Sequence, residues 1–362
     1  MMLNRYALVQ RNEVSLKSIM LVPLVTFILA LLGSMVLFGF LGAPPLGGLY
    51  RLLIDPLSSA YNISEVVIKA APLILIAQGL AIGFRAKVWN IGAEGQLIIG
   101  AVAASVIPIT YPESQNVLML PAMILTGMIA GAAWAGIAAM LKTRFNASEI
   151  IVTLMLNQIA MQILYFLING PLKDPMGFSY PQSVSFPPVA MYPLLSGDGM
   201  LRANASIFVV ILLSIAALIY VTRTFSGYTL LVGGLAPSAA SYAGFSAQKA
   251  VWITLLIGGA AAGLAGVGEI AGPIGRLQPT LSPGYGFAAI IVAFLGGLHP
   301  VGILLAGTFM AIVYVGADGA IIDAGLPPAA PVIFQGMVLV FYLASFALVH
   351  YRIVRIQPEA RA

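Results

Sequence analysis

The sequence predicts an all-α, polytopic membrane protein, and three observations predict it. Hydrophobic residues make up 60% of the chain and charged residues only 8%, against roughly 25% charged in an ordinary water-soluble domain. Apolar stretches of the length a helix needs to cross hydrocarbon, about 20 residues, recur along the chain. The basic residues between them sort to one side of a membrane. A soluble fold of 362 residues could not hide this much apolar surface; lipid removes the need for a polar exterior.

Ten spans are read, at 19–41, 64–84, 91–109, 117–141, 149–169, 205–222, 249–271, 285–298, 300–317 and 331–350. The first, from Ile19 to Leu41, is long for a signal-peptide core and no small-x-small cleavage site follows it, so it reads as a retained anchor. The eighth and ninth are short, Gly-rich and separated by Pro300, which predicts broken or re-entrant helices. Ten spans put both termini on one side. Arg5, Arg11, Lys17, Arg85, Lys87, Lys142, Arg144, Arg223, Lys249, Arg352, Arg355 and Arg361 fall there; Arg51, Lys173, Arg202 and Arg276 fall opposite, and Lys69 lies within a span. Twelve against four places both termini in the cytoplasm. Asp55, Glu113, Asp174, Asp198, Asp318 and Asp323 all fall outside.

The chain, residues 1–362, reads as a single transmembrane domain, with cytoplasmic ends at 1–18 and 351–362. An external loop, 170–204, carries Pro171, Pro175, Pro181, Pro187, Pro188 and Pro193 and is a candidate docking surface or gate. An internal loop, 223–248, should hold a short helix starting near Pro237 and ending near Gly244. Spans two to five and seven to ten would enter from opposite sides, the arrangement of an inverted repeat.

Composition also excludes chemistry. The chain has no cysteine, so disulfides and thiolate metal sites are ruled out, and His299 and His350 are too far apart for a His-based metal site. The net charge of +5 sorts by membrane side and does not mark a nucleic-acid surface. Phosphate-binding loop, nucleophile elbow, zinc-protease helix, voltage-sensor helix and potassium-filter motifs do not occur in the sequence. No energy source is visible in this chain; an ion gradient or a partner must supply it.

The most unusual stretch is Trp89 to Gln96, after the basic turn Arg85-Ala86-Lys87. Asn90, Gly92, Glu94, Gly95 and Gln96 stand in an apolar run, where a carboxylate needs a partner or a wet cavity. They read either as a pore-lining or helix-locking cluster, or as an interfacial cap. In the second reading Asn90 is the N-cap, and Glu94 sits about one turn into the span near the positive helix end. Span five carries Asn157, Gln158 and Gln162. Gln158 and Gln162 share a face and could line a polar path; the alternative is hydrogen bonding between helices. Glu269 reads as a surface acid near Arg276, Gln78 and Gln335 as packing polars, and Gly296-Gly297 as a tight turn. His299 lacks the acidic neighbour a proton relay needs. The run Gly258 to Gly263 permits close helix packing. Trp89, Tyr285 and Phe287 could stack on a base or anchor the membrane interface.

At these residues the sequence resembles a known family. Trp89 to Ala101 is similar to the "F-N-I-G-A-E-G-Q-L-x-x-G-A" signature of ABC-importer permeases for nucleosides and simple sugars, within the wider branched-chain amino acid and ribose permease superfamily. Gly233 to Phe245 looks like "x-G-x-N-P-x-A-A-x-x-A-G-I", and Gly284 to Gly302 like "G-x-G-F-x-x-I-A-V-A-L-L-G-x-x-x-P-x-G". The blocks stand in family order over roughly residues 60–350. The resemblance implies a non-enzymatic permease chain of the bacterial inner membrane, paired with a second, identical or different, permease. ATP and Mg would be bound by a separate cytoplasmic ATPase, with no cofactor in this chain, and an external binding protein would deliver the solute. It makes Gly234, Pro237, Ser238, Ala239, Ala240, Ala243 and Gly244 the ATPase-coupling residues. Two departures stand out: Leu231-Val232 replaces the family's Arg-Ala, and Ala236 replaces its Asn. A nucleoside is the preferred solute, then a simple sugar, then a branched-chain amino acid. The competing class is an ion-coupled secondary transporter with Glu94 and the span-five amides as its midplane site. A membrane-embedded enzyme lacks a nucleophile–base or metal constellation.

Overall fold

Every predicted apolar stretch is helical in the structure, a computed structural model that describes residues 6–10, 16–42, 44–177, 180–196, 200–324 and 329–355. Arg5, Arg11, Asp198 and Arg361, used above to count charges, lie outside the described residues. The chain divides into two compact units, Asp55–Val315 and the pair of segments Met1–Ile54 and Gly316–Ala362.

The smaller unit contains α1 (Leu16–Phe40), α2 (Pro45–Leu53) and α13 (Ala329–His350). Gly33 of α1 sits against Met337 and Phe341 of α13, where a larger side chain would push the helices apart. Pro45 opens α2 at a position that needs no amide donor, and Gly48 lets that helix fold onto the Phe38 ring. Two short strands, β1 (Tyr6–Gln10) and β2 (Tyr351–Arg355), pair antiparallel with Tyr6 opposite Arg355. They are an addition to the helical expectation; Ile353 and Val354 favour extended backbone there.

The larger unit holds α3 (Ala60–Arg85), α4 (Ala93–Thr110), α5 (Met119–Phe145), α6 (Glu149–Asn169), α7 (Ser206–Arg223), α8 (Phe225–Leu235), α9 (Pro237–Tyr242), α10 (Ala247–Glu269), α11 (Tyr285–Leu295) and most of α12 (Pro300–Ala324). A π-helical turn, Ile270–Ile274, extends α10. Seven helices among the described residues, six of them here outright and α12 the seventh, are long and apolar enough to cross a membrane. The centre is α10, packed on α3, α4 and α5. Glycine sets these distances. A Cβ at Gly263 would collide with the Gly127 carbonyl, one at Gly259 with the Gly131 carbonyl, and one at Gly79 would lie 2.8 Å from Ala261 Cβ. Lipid gives no hydrophobic drive between helices, so this backbone proximity supplies the dispersion and packing energy that holds them.

The eighth and ninth spans differ from the expectation that both are broken. Helix α12 has 25 residues and is continuous. Helix α11 has only 11 residues, a rise of about 16 Å, half of a hydrocarbon core about 30 Å thick. The residues before it, 275–284, are not helical and contain Pro279 and Pro283. Helix α4 is likewise preceded by non-helical backbone, from Ala86 to Gly92.

Candidate functional site

The non-helical stretch before α4 carries its polar residues inward. Lys87 has a left-handed backbone (φ 56°), which breaks the run of α3 and turns the chain back along it. Asn90 is 3% exposed. Its Oδ1 accepts the Gly92 amide at 2.9 Å, and its amide exchanges two hydrogen bonds with Gln96, at 2.9 and 3.0 Å. The N-cap of α4 is therefore Gly92 and not Asn90, which acts two residues earlier and across one turn.

Asn157 of α6 locks this stretch from the side. Its Oδ1 accepts the Gly95 amide and its Nδ2 donates to the Ile91 carbonyl, both at 2.8 Å. Thr153, one turn earlier, accepts the Ile91 amide at 3.2 Å. Both glycines are required by this approach: a Cβ at Gly92 would lie 2.8 Å from the Thr153 Cβ, and one at Gly95 would lie 2.9 Å from the Asn157 Cα.

Glu94 reaches the other way, to α11. Its Oε2 accepts the Gly286 amide at 2.7 Å, with Ser282 and Gly284 within hydrogen-bonding reach. A Cβ on Gly286 would strike the Glu94 backbone, so the amino ends of α4 and α11 abut. Each helix end carries a partial positive charge and unsatisfied N–H groups. The carboxylate answers both, which is the physical reason an acid stands here. Its neighbour Gly95 is the residue bonded to Asn157, so Glu94 stands beside the middle of α6.

Gln158 and Gln162 do not join this junction. Both are exposed on α6, on a face shared with Ile151, Leu154, Met155, Ile159 and Phe166. With Ile163 and Phe166 they line an open groove of about 390 Å³. Asn157, the neighbouring residue, is 4% exposed. The aromatic candidates are placed as packing groups. Trp89 packs tilted on Phe84 and stacks on Phe294 while keeping part of its ring exposed, Tyr285 is buried against Tyr314, and Phe287 is exposed.

The basic end of the unit carries the loop helices. Helix α9 starts with Pro237, and Gly244 (φ 81°) ends the turn after it, as expected. Gly234 and Ala240 are buried, Gly234 against the Arg85 carbonyl; Pro237, Ser238, Ala239, Ala243 and Gly244 are exposed. Helix α8 is a second helix in the internal loop, where only the one at Pro237 is expected; Thr224 caps it by accepting the Gly227 amide at 3.0 Å. Tyr242 (96% exposed), Leu235 and Phe225 are exposed apolar side chains of this loop, and Phe225 packs on Tyr228 and Phe245. Beside them is a cleft of about 540 Å³, with Lys87, Lys249 and the Lys142–Glu149 ion pair (2.9 Å) on its walls.

At the opposite end, Glu269 is not a surface acid near Arg276. It is 5% exposed, and Lys69 and Arg202 are the cations that act on it. Arg202 pairs with Glu65 at 3.1 Å.

Residues 62–343 match the family described as branched-chain amino acid transport system / permease component. A glucose ABC transporter permease of Haloferax volcanii, TsgB13, is 33% identical over 339 residues, covering 91% of this chain and 89% of that protein. A nucleoside ABC transporter permease of Lactococcus lactis subsp. cremoris, NupB, is 30% identical over 91% of this chain and 92% of its own length. A guanosine ABC transporter permease of Bacillus subtilis, NupP, is 30% identical over 91% and 94%.

Proposed function

The chain belongs to the branched-chain amino acid transport system permease family and is a multi-pass membrane permease; on that premise we propose that it builds one wall of the pathway of an ATP-driven importer for a nucleoside or related simple sugar. The relatives named for guanosine, nucleosides and glucose support the solute class. A separate cytoplasmic ATPase would bind ATP and Mg, and an external binding protein would deliver the solute. The membrane is the bacterial cytoplasmic (inner) membrane, with Arg85, Lys87, Lys142 and Lys249 on its inner side. On that side the exposed helix α9, with the exposed apolar side chains Tyr242 and Leu235, is where the ATPase docks, because large apolar groups left facing water mark interaction sites.

The observation that carries the reading is the uncovered face of α6. Two glutamines at i and i+4 on a hydrocarbon-facing surface would leave amide groups without partners, at a cost of about 2 kcal/mol or more each. The buried amides of Asn90, Gln96 and Asn157 are answered within the chain; Gln158 and Gln162 are turned away from it. We assign that face to a wet pathway completed by a second permease chain. The junction of Asn90, Gly92, Glu94, Gly95, Gln96 and Asn157 holds the wall behind it. Helices α4 and α11, the third and eighth spans, occupy corresponding places in the two halves and meet amino end to amino end, which supports the inverted repeat.

Purification from native membranes in mild detergent, followed by mass spectrometry, tests this function. An ATPase subunit, with or without a second permease, should accompany the chain. Recovery of the chain alone, active in proteoliposomes under an ion gradient, contradicts it and restores the secondary-transporter reading.

A further inference from the structure

The external loop is laced to the backbone that leads into α11. Tyr192 donates its amide to Ala271 at 2.7 Å, Phe186 to Gly275 at 2.9 Å and Ser183 to Leu277 at 2.9 Å; the Leu277 amide returns to Ser183 Oγ at 2.9 Å. Residues 183–192 of the loop, the π-helical turn and residues 275–284 are therefore connected, and this piece ends at the amino terminus of α11 under Glu94. Arg202 fastens that piece to α3. Its guanidinium pairs with Glu65 at 3.1 Å and donates to the Pro273 carbonyl of the π turn at 3.2 Å, while its own amide donates to Ser64 Oγ at 3.3 Å. The carboxyl of Glu269, buried beneath, lies in the field of Lys69 and Arg202. One side chain thus bridges three elements: the loop, α3 and the end of α10. A π turn is a frequent site of functional adjustment, because its extra residue is held by weaker backbone bonding.

We propose that Arg202 is a positioning residue for transport, a releasable latch that holds the external loop and the descending segment 275–284 against α3, and that must open for solute to pass. This rests on the importer reading above. An ion pair whose arginine side chain is 44% exposed contributes little stability, so its release is within reach of a docking partner. The segment it frees is continuous with α11, so movement at the outer surface has a physical route to the buried junction.

The test uses the whole transporter in proteoliposomes. The chain has no cysteine, and Ser64 Oγ lies 3.3 Å from the Arg202 amide, so Ser64→Cys with Arg202→Cys is the pair to oxidise across the latch, with disulfide formation checked by a gel shift of a cleaved chain. Labelled guanosine and glucose are the probes. Oxidation should lower ATP-dependent uptake at least tenfold, and reduction should restore it. A merely structural tie predicts the reverse, since the disulfide would replace the lost ion pair; uptake that is equal in the oxidised and reduced states overturns the latch. Where the double variant does not assemble, Glu65→Gln is read instead. It should raise ATP hydrolysis several-fold in the absence of binding protein, and an unchanged basal rate overturns the proposal. A wild-type transporter without ATP-dependent uptake overturns the importer reading and the latch together; wild-type uptake with no effect of oxidation overturns the latch alone.

Discussion

Asn157 and Gln158 are adjacent in sequence and opposite in fate. A step of one residue turns the helix by about 100°. It moves the amide from a site where both its oxygen and its nitrogen are bonded inside the chain to a face where it is exposed. At the junction the polar groups fix α4, α6 and α11 relative to one another. On the uncovered face the amides keep their hydrogen-bonding capacity for water, solute or a second subunit. The difference teaches that polarity within an apolar helix has two uses, and that burial with full pairing separates them.

The comparison can be broken from either side. The largest effect is expected at Gly95, where any side chain meets the α6 backbone. Gly95→Leu should abolish uptake while the ATPase is still recovered with the chain; normal uptake by a well-expressed variant would contradict the close-packed junction. Glu94→Ala leaves two helix amino ends unanswered. It should cost about 3 kcal/mol in detergent unfolding, and Glu94→Gln, which keeps an acceptor, about half as much. Equal stability of Glu94→Ala and wild type would show that the carboxylate is not the pin between α4 and α11.

Ala239→Asp places a charge on the exposed surface of α9. It should reduce ATPase recovery several-fold without changing the melting temperature, and unchanged recovery would remove the docking role. The double variant Gln158→Leu, Gln162→Leu should stay within about 0.5 kcal/mol of wild type, yet lose uptake several-fold. A loss of stability there would make these amides structural after all. The smallest effect concerns Ala236, the N-cap of α9, which offers no capping side chain. Ala236→Asn should stabilise that helix by about 1 kcal/mol, read as slower amide exchange at Ala240.

Much of the helical fold was legible because the length of an apolar stretch reports directly on a bilayer-crossing helix. The ten stretches are helices, and Pro237 and Gly244 bracket the loop helix as their backbone preferences require. The partner of Glu94 was not legible. Residues 86–92 are not helical, and only the folded chain brings Glu94 to the Gly286 amide, which lies far away in sequence. The shortness of α11 was hidden for a related reason: its composition matches a spanning helix, and only the path of 275–284 shows where it begins. Glu269 was assigned to Arg276 because that cation is near in sequence. Its actual neighbours, Lys69 and Arg202, come from α3 and the external loop, and only the packing of those elements brings them there.

The central claim is that the uncovered face of α6 borders the solute pathway while the face beside it is sealed. Single cysteines can test it directly, because the chain has none. In the assembled transporter, Gln158→Cys and Gln162→Cys should react with a hydrophilic thiol reagent and be protected by transported solute, whereas Asn157→Cys should stay unmodified. Absence of labelling at both 158 and 162 in an active transporter would place that face against lipid or a dry interface and contradict the account.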